Sequence, residues 1–208
     1  NSYSKVVDRI NPESLIAVSK TMPAEDIRLV FDLGQKRFGE NYALEFLEKY
    51  KQLQGLGIDW HLIGHLQSNK AAHVVGKAKL IHSVDRLSLA TTINKEAMKL
   101  GIVQEVLVQI IISGEASKGG VLPDQLENTV TEMKNLQGIS IRGLMSIGSS
   151  SIEKAREEFQ QMRDLKNVLL SLMPKADILS MGMSNDADVA LQYGATLVRI
   201  GTDIFGAR

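Results

Sequence analysis

Short apolar runs recur along the chain, each closed by polar residues or glycine and each followed by a stretch with helical spacing. The first clear run, Leu15-Ile16-Ala17-Val18-Ser19, has the near-continuous apolar character of a parallel strand buried on both faces. It ends at Lys20-Thr21-Met22-Pro23. Pro23 suits the first turn of a helix, which the pattern continues over 24–33 and stops at Gly34. Further strands are expected over 37–39, 58–63, 80–83, 104–112, 139–145, 176–179 and 196–200. Helices are expected over 42–53, from 68 or 69 to 75, and over 86–100, 123–135, 152–172 and 184–192. Residues 4–10 read as the tail of a short helix ahead of the first strand.

Eight strands alternating with helices imply parallel pairing through helical crossovers, and a count of eight favours a closed (β/α)8 barrel over an open sheet. The chain has 208 residues, short for a barrel that typically takes ~250. Tight loops and one domain over residues 1–208 are therefore expected, without a linker or low-complexity segment. In such barrels the loops after strands 7 and 8 commonly build a phosphate site. Here those loops hold Ser184 and the pair Gly201-Thr202. Ser184 stands where a helix N-cap is expected, with Asp186 and Asp188 in the first turn. A plain cap and a plain turn are the alternative for each residue alone; their joint placement points to an anion.

Composition narrows the function classes. Hydrophobic residues make up 44% and charged residues 23%, as in ordinary globular proteins. Lysines and arginines number 24, as do the acids, which argues against nucleic-acid binding through bulk charge. There is no cysteine, so a disulfide framework, a thiolate nucleophile and a cysteine metal site are all excluded. No apolar run reaches the ~20 residues of a membrane span, and Asn1-Ser2-Tyr3-Ser4-Lys5 does not have the form of a signal peptide. A cytoplasmic protein without membrane or nucleic-acid partners is expected.

Ligands of such a barrel meet the C-terminal ends of the strands. The polar residues there are Lys20, Asn41, His65, Ser83 with Asp85, Ser113 with Glu115, Ser146, Ser180 with Ser184, and Arg199 with Gly201 and Thr202. Lys20 directly follows a buried strand. Desolvation lowers a lysine's pKa and frees a neutral amine for a Schiff base; the alternative is a side chain that snorkels to solvent. Arg199 lies inside the apolar run Leu197-Val198-Arg199-Ile200. If it faces the barrel interior it needs a partner, and a structural ion pair with an acid is the plain reading. His61, His65 and His73 share no metal-ligand spacing with carboxylates, and His61 and His82 read as packing and local hydrogen-bonding residues.

The motifs Ala17-Val18-Ser19-Lys20-Thr21, Phe38-Gly39-Glu40-Asn41-Tyr42, Trp60-His61-Leu62-Ile63-Gly64-His65 through Lys70, Ser113-Gly114-Glu115-Ala116-Ser117-Lys118, Arg142-Gly143-Leu144-Met145, Ser180-Met181-Gly182-Met183-Ser184 and Arg199-Ile200-Gly201-Thr202-Asp203 stand at nearly every strand mouth. Together they closely resemble the pyridoxal phosphate homeostasis proteins. The resemblance implies a barrel like the N-terminal domain of alanine racemase, the type III fold of proteins that use pyridoxal 5′-phosphate (PLP). It implies Lys20 as the Schiff-base lysine, Ser184, Gly201 and Thr202 as phosphate ligands, Arg199 beside the pyridine nitrogen and Asn41 near the cofactor. It further implies a monomer that stores PLP or delivers it to apo-enzymes, without robust catalysis. Members often carry asparagine where this chain has Ile111, so a polar contact at the mouth of strand 5 is expected to be missing. The rival readings are an amino-acid racemase, which needs a base on each face of the substrate carbon, and a phosphosugar-binding barrel without PLP.

Overall fold

The apolar runs become strands because both of their faces are covered. The computed structural model describes residues 2–114 and 119–206. Eight strands, β1 (Leu15–Val18), β2 (Arg37–Glu40), β3 (Asp59–Leu62), β4 (Leu80–Val84), β5 (Gln104–Ile110), β6 (Ile139–Ser146), β7 (Ile178–Met183) and β8 (Leu197–Ile200), lie in sequence order and close into a barrel. All pairings are parallel. Closure sets β8 against β1, with Ile16 opposite Arg199 and Ala17 opposite Ile200. The helices are α1 (Ser2–Val7), α2 (Ala24–Asp32), α3 (Ala43–Gln52), α4 (Ala71–Val74), α5 (Leu87–Lys99), α6 (Leu126–Met133), α7 (Ile152–Leu172), α8 (Ala187–Gln192) and α9 (Thr202–Phe205). Glu115 and Lys118, singled out above, lie outside the described residues.

Side chains alternate between two cores, because successive Cβ atoms of a strand point to opposite faces. Ile16, Leu80, Leu107, Met145 and Leu197 form a cluster made of strand residues, the barrel interior. Leu15, Ala17, Ile81, Val198 and Ile200 join Ile27 of α2, Phe46 of α3 and Ile93 of α5 in the layer between strands and helices. Each such fully buried aliphatic side chain contributes about 1.5–3 kcal/mol. Arg199 shares the inward parity of Leu197. Among the described residues no helix is long and apolar enough to cross a membrane.

The structure departs from the sequence pattern at four places. A 3-10 turn at Pro12–Ser14 and the short α9 were not expected. Strand β5 stops at Ile110, and the Ile111 N–H donates to the Val121 carbonyl at 3.0 Å. Strand β7 starts at Ile178 and runs to Met183 rather than stopping at Leu179. Gly182 explains the last difference. A glycine after an apolar run reads as a turn, but here it lies in the strand with φ 93°, and a Cβ on it would stand 2.5 Å from the Ala190 Cβ. It marks close approach of α8 to the sheet. Helix α8 therefore begins at Ala187 with Asp186 as its cap residue, and Ser184 is not the N-cap. Asp186 Oδ1 instead accepts from the Met183 N–H at 2.6 Å, tying the turn between β7 and α8 together.

Gly143 in β6 has φ 152°, and a Cβ there would lie 1.8 Å from the Ile178 carbonyl oxygen. Only glycine lets β6 and β7 approach this closely. Gly143→Ala is expected to destabilise the fold by about 3 kcal/mol, the upper range for overpacking. Urea denaturation measures this, and a change within experimental error would refute the steric argument.

Candidate functional site

Strands β1, β2, β7 and β8 end around one cavity of about 490 Å³. Lys20, Asn41, Ser184, Arg199, Gly201 and Thr202 all line it. The loop between β6 and α7 supplies a further wall through Ile147, Ser149 and Ser150, which the sequence had not marked. His65, Ser83, Asp85 and Ser113 stand at strand ends but outside the lining. His65 Nδ1 lies 3.3 Å from Asp85 Oδ2, with the histidine largely exposed. Ile111 is not part of the described lining either.

Lys20 lies two residues beyond the end of β1 and is half-buried. No hydrogen-bond or ion-pair partner holds its amine among the described residues, and it lines the cavity rather than the outer surface alone. Asn41 is placed by a close backbone contact. A Cβ on Gly64 would lie 2.2 Å from the Asn41 carbonyl oxygen, so glycine at 64 is what allows the β3 loop to pack there. The side-chain Oδ1 of Asn41 is buried and has no donor among the described residues. Gly201 precedes α9, and Thr202 opens it. The first N–H groups of a helix have no intrahelical acceptor. Four residues build little macrodipole, so an anion here would meet local N–H and hydroxyl groups rather than a helix field.

Arg199 does not form the structural ion pair that was the plain alternative reading. It is buried, and its acceptors are neutral: Nη1 donates to Ser180 Oγ at 2.7 Å and Nη2 to the Ser146 carbonyl at 2.8 Å. Burial pushes its pKa down to about 10, against the opposing influence of Asp186; the guanidinium stays charged at neutral pH. Behind it runs a hydrogen-bonded chain. Ser180 Oγ is 2.9 Å from His82 Nδ1, and His82 Nε2 is 2.8 Å from His61 Nδ1. Arginine can only donate. Ser180 Oγ therefore accepts from Arg199 while it also pairs with His82 Nδ1, and His82 Nε2 and His61 Nδ1 share one hydrogen between them. Burial keeps both imidazoles neutral: His61 is pushed down to about 3, and His82, which also feels His61 and Arg199, is held well below its ordinary value. The reading of these histidines as locally hydrogen-bonded agrees with this. Their link to Arg199 was not foreseen, although a polar residue at an inward position of a buried strand requires a partner.

The cavity wall thus carries two cations, Lys20 and Arg199, against one acid, Asp186. Ser184, Thr202 and Ser149 add hydroxyls, and Val18, Ile63 and Ile147 add an apolar face. This donor set suits an anionic, partly apolar ligand that reacts with an amine, and the PLP implied by the motifs fits it. Among the described residues no group of three His, Asp or Glu side chains is placed to hold a metal ion.

Comparison with known proteins agrees with the fold. The family model for the alanine racemase N-terminal domain matches residues 1–208. A pyridoxal phosphate homeostasis protein of Aquifex aeolicus is 44% identical over 201 residues, 95% of this chain and 88% of that protein. The structure of PipY from Synechococcus elongatus PCC7942 without PLP matches with a TM-score of 0.93 at 36% identity, covering 99% of this chain and 98% of that one. The structure of the same protein with PLP bound matches with a TM-score of 0.91 at 35% identity and the same coverage. Alanine racemase of Clostridium difficile 630 shares the fold at 16% identity and a TM-score of 0.84, with all of this chain covering 56% of that one. Fold and site define a parallel barrel of the alanine racemase type with a cationic cavity at its strand mouths. The chain belongs to the alanine racemase N-terminal domain family and, within it, to the pyridoxal phosphate homeostasis proteins.

The two buried histidines make stability depend on pH. Their folded pKa values lie below the ordinary 6.5, so on acidification the unfolded chain takes up protons that the folded chain refuses. Stability is therefore full above pH 6.5 and falls as the pH drops toward 3, by about 1.4 kcal/mol per pH unit for each histidine. Urea denaturation at neutral pH and near pH 5 tests this. A flat profile would show that the imidazoles are not held neutral, and His61→Gln should remove about half of the slope.

Proposed function

We propose that the protein binds PLP, held covalently through Lys20, and serves PLP homeostasis as a carrier. The observation that carries this reading is the cavity itself: an amine without a partner, a buried guanidinium hydrogen-bonded to neutral acceptors, and the hydroxyls of Ser184 and Thr202 line one space. The names of the relatives and the PLP-bound structure of PipY support it. When bound, PLP supplies an aldehyde carbon for an amine and a ring that draws electrons. Lys20 Nζ is the amine that meets the aldehyde. Gly201, Thr202 and Ser184 would be the donors for the phosphate, and Arg199 would donate to the ring nitrogen. Asn41 Oδ1, buried without a donor, accepts from a cofactor hydroxyl or from the amine. In the same reading residues 1–208 act as one domain, a cytoplasmic monomer whose recipients are apo forms of PLP-dependent enzymes.

Arg199 also explains why holding the cofactor leads to little chemistry. A guanidinium does not give up its proton in a protein and disfavours a second positive charge on the group it touches. Arg199 beside the ring nitrogen would therefore disfavour its protonation and limit the electron withdrawal that PLP could supply. A racemase on this barrel needs a second base facing Lys20. Tyr42, the tyrosine nearest a strand mouth in sequence, is 58% exposed, and Tyr3, Tyr42, Tyr50 and Tyr193 all lie outside the cavity lining.

Borohydride reduction followed by mass spectrometry tests the reading. The adduct is expected on Lys20 and absent in Lys20→Ala. Thr202→Ala should lower PLP retention about tenfold, the worth of one hydrogen bond to a charged group. An adduct on another lysine, or full retention in both Thr202→Ala and Ser184→Ala, would reject this placement.

Little or no exchange of the Cα hydrogen of L-alanine for deuterium is expected with the PLP-loaded protein in D2O. Proton NMR follows the Cα signal, with Lys20→Ala as control. Loss of that signal at about 1 per second or faster, an enzyme-like rate, would restore the racemase reading.

A further inference from the structure

Lys20 sits on a strained turn. The Ser19 carbonyl accepts from the Met22 N–H at 3.0 Å, which makes Lys20 and Thr21 the two central residues of a four-residue turn. Thr21 has φ 64° and is the only non-glycine residue with positive φ among the described residues. A positive φ at the third position alone is type II geometry, which ordinarily takes glycine or asparagine. A β-branched residue resists it.

Both flanks of Lys20 are tied to one buried cluster of charge. Lys49 of α3, 6% exposed, places Nζ 2.6 Å from the Ser19 carbonyl, 2.8 Å from Glu40 Oε1 and 2.7 Å from Glu45 Oε1. Glu40, at the end of β2 and fully buried, also accepts from Ser19 Oγ at 2.6 Å. Glu45 accepts from the Thr21 N–H, the amide of the strained residue itself. Burial raises the Glu40 pKa, while hydrogen bonds from Lys49 and Ser19 oppose that shift. None of Ser19, Glu40, Glu45 or Lys49 lines the cavity. A buried ion cluster adds little net stability compared with apolar packing, so its attachment to the two neighbours of Lys20 is the informative feature.

We infer that Lys49, with Glu40 and Glu45, is a positioning group for Lys20. It anchors the Ser19 carbonyl, and Glu45 holds Thr21 in its disfavoured conformation, so that the turn presents the Lys20 amine to the cavity. Without the cluster Thr21 relaxes to negative φ and the amine loses its fixed approach. The donors on the β7 and β8 loops are separate from the cluster and keep their places. This inference rests on the reading of Lys20 as the PLP amine.

The test uses the full chain and two ligands: PLP, and pyridoxine 5′-phosphate, which has an alcohol where PLP has the aldehyde. The rate of adduct formation on Lys20 is read by timed borohydride reduction and mass spectrometry, and pyridoxine phosphate affinity by calorimetry. Glu45→Ala is expected to slow the adduct about tenfold, as for one lost hydrogen bond to a charged group, with pyridoxine phosphate affinity and the melting temperature close to those of the parent. Lys49→Met should slow it further, and adding Thr21→Gly to Lys49→Met should restore much of the rate, because glycine adopts φ 64° without strain. If Lys49→Met does not fold, Glu45→Ala, at the partly exposed first turn of α3, decides alone. An unchanged adduct rate in Glu45→Ala, or an equal loss of both ligands, would overturn the inference and leave the cluster as packing. A parent protein that binds pyridoxine phosphate but forms no adduct on Lys20 would overturn the Lys20 reading, and the inference with it.

Discussion

The pairing of β8 with β1 is the constraint on which the site depends. It sets Ile16 opposite Arg199 and leaves the closed sheet no free edge. It also brings the turn after the first strand beside the turn after the last, from opposite ends of the chain. Lys20 and the pair Gly201-Thr202 line the same cavity for that reason. Inward and outward parity then divides the strand residues into an interior cluster and a helix-facing layer, and Arg199 falls on the inward side.

An inward arginine imposes electrostatic consequences. Its two hydrogen bonds go to a hydroxyl and a carbonyl, neither of which neutralises it, and burying a charge without a directly paired counter-ion is costly. A ligand with acceptor atoms and negative charge offsets that cost, which is the physical basis for reading the cavity as an anion site. The histidine chain behind Ser180 is kept neutral by burial, so it adds no second charge to the interior. The Lys49 cluster solves a different problem. Its carboxylates compensate its own cation, and it braces the backbone on either side of Lys20 while leaving the Lys20 amine free for the cavity.

The same barrel carries racemases and homeostasis proteins, and fold alone does not separate the two. The distinction lies in which groups face the cofactor space. The buried arginine in the lining and the absence of tyrosine from the described lining are the features behind the proposal of holding over turnover.

Much of this was legible in the chain itself. Continuous apolar runs determined eight buried parallel strands, because strands covered on both faces cannot alternate with polar residues. Residue motifs at the strand mouths pointed to six of the residues that line the cavity. Local pattern misled where a glycine served a tertiary contact: Gly182 reads as a turn but lies in β7 against Ala190, which moved the start of α8 and removed Ser184 from the cap position. The partners of Arg199 and of Lys49 were also beyond the sequence. Ser180, Ser146, His82, Glu40 and Ser19 become neighbours only when strands distant in sequence register side by side, and a one-residue shift in that register would turn each of them to the opposite face. Periodicity determined the elements; parity and closure of the barrel decided which polar side chains meet.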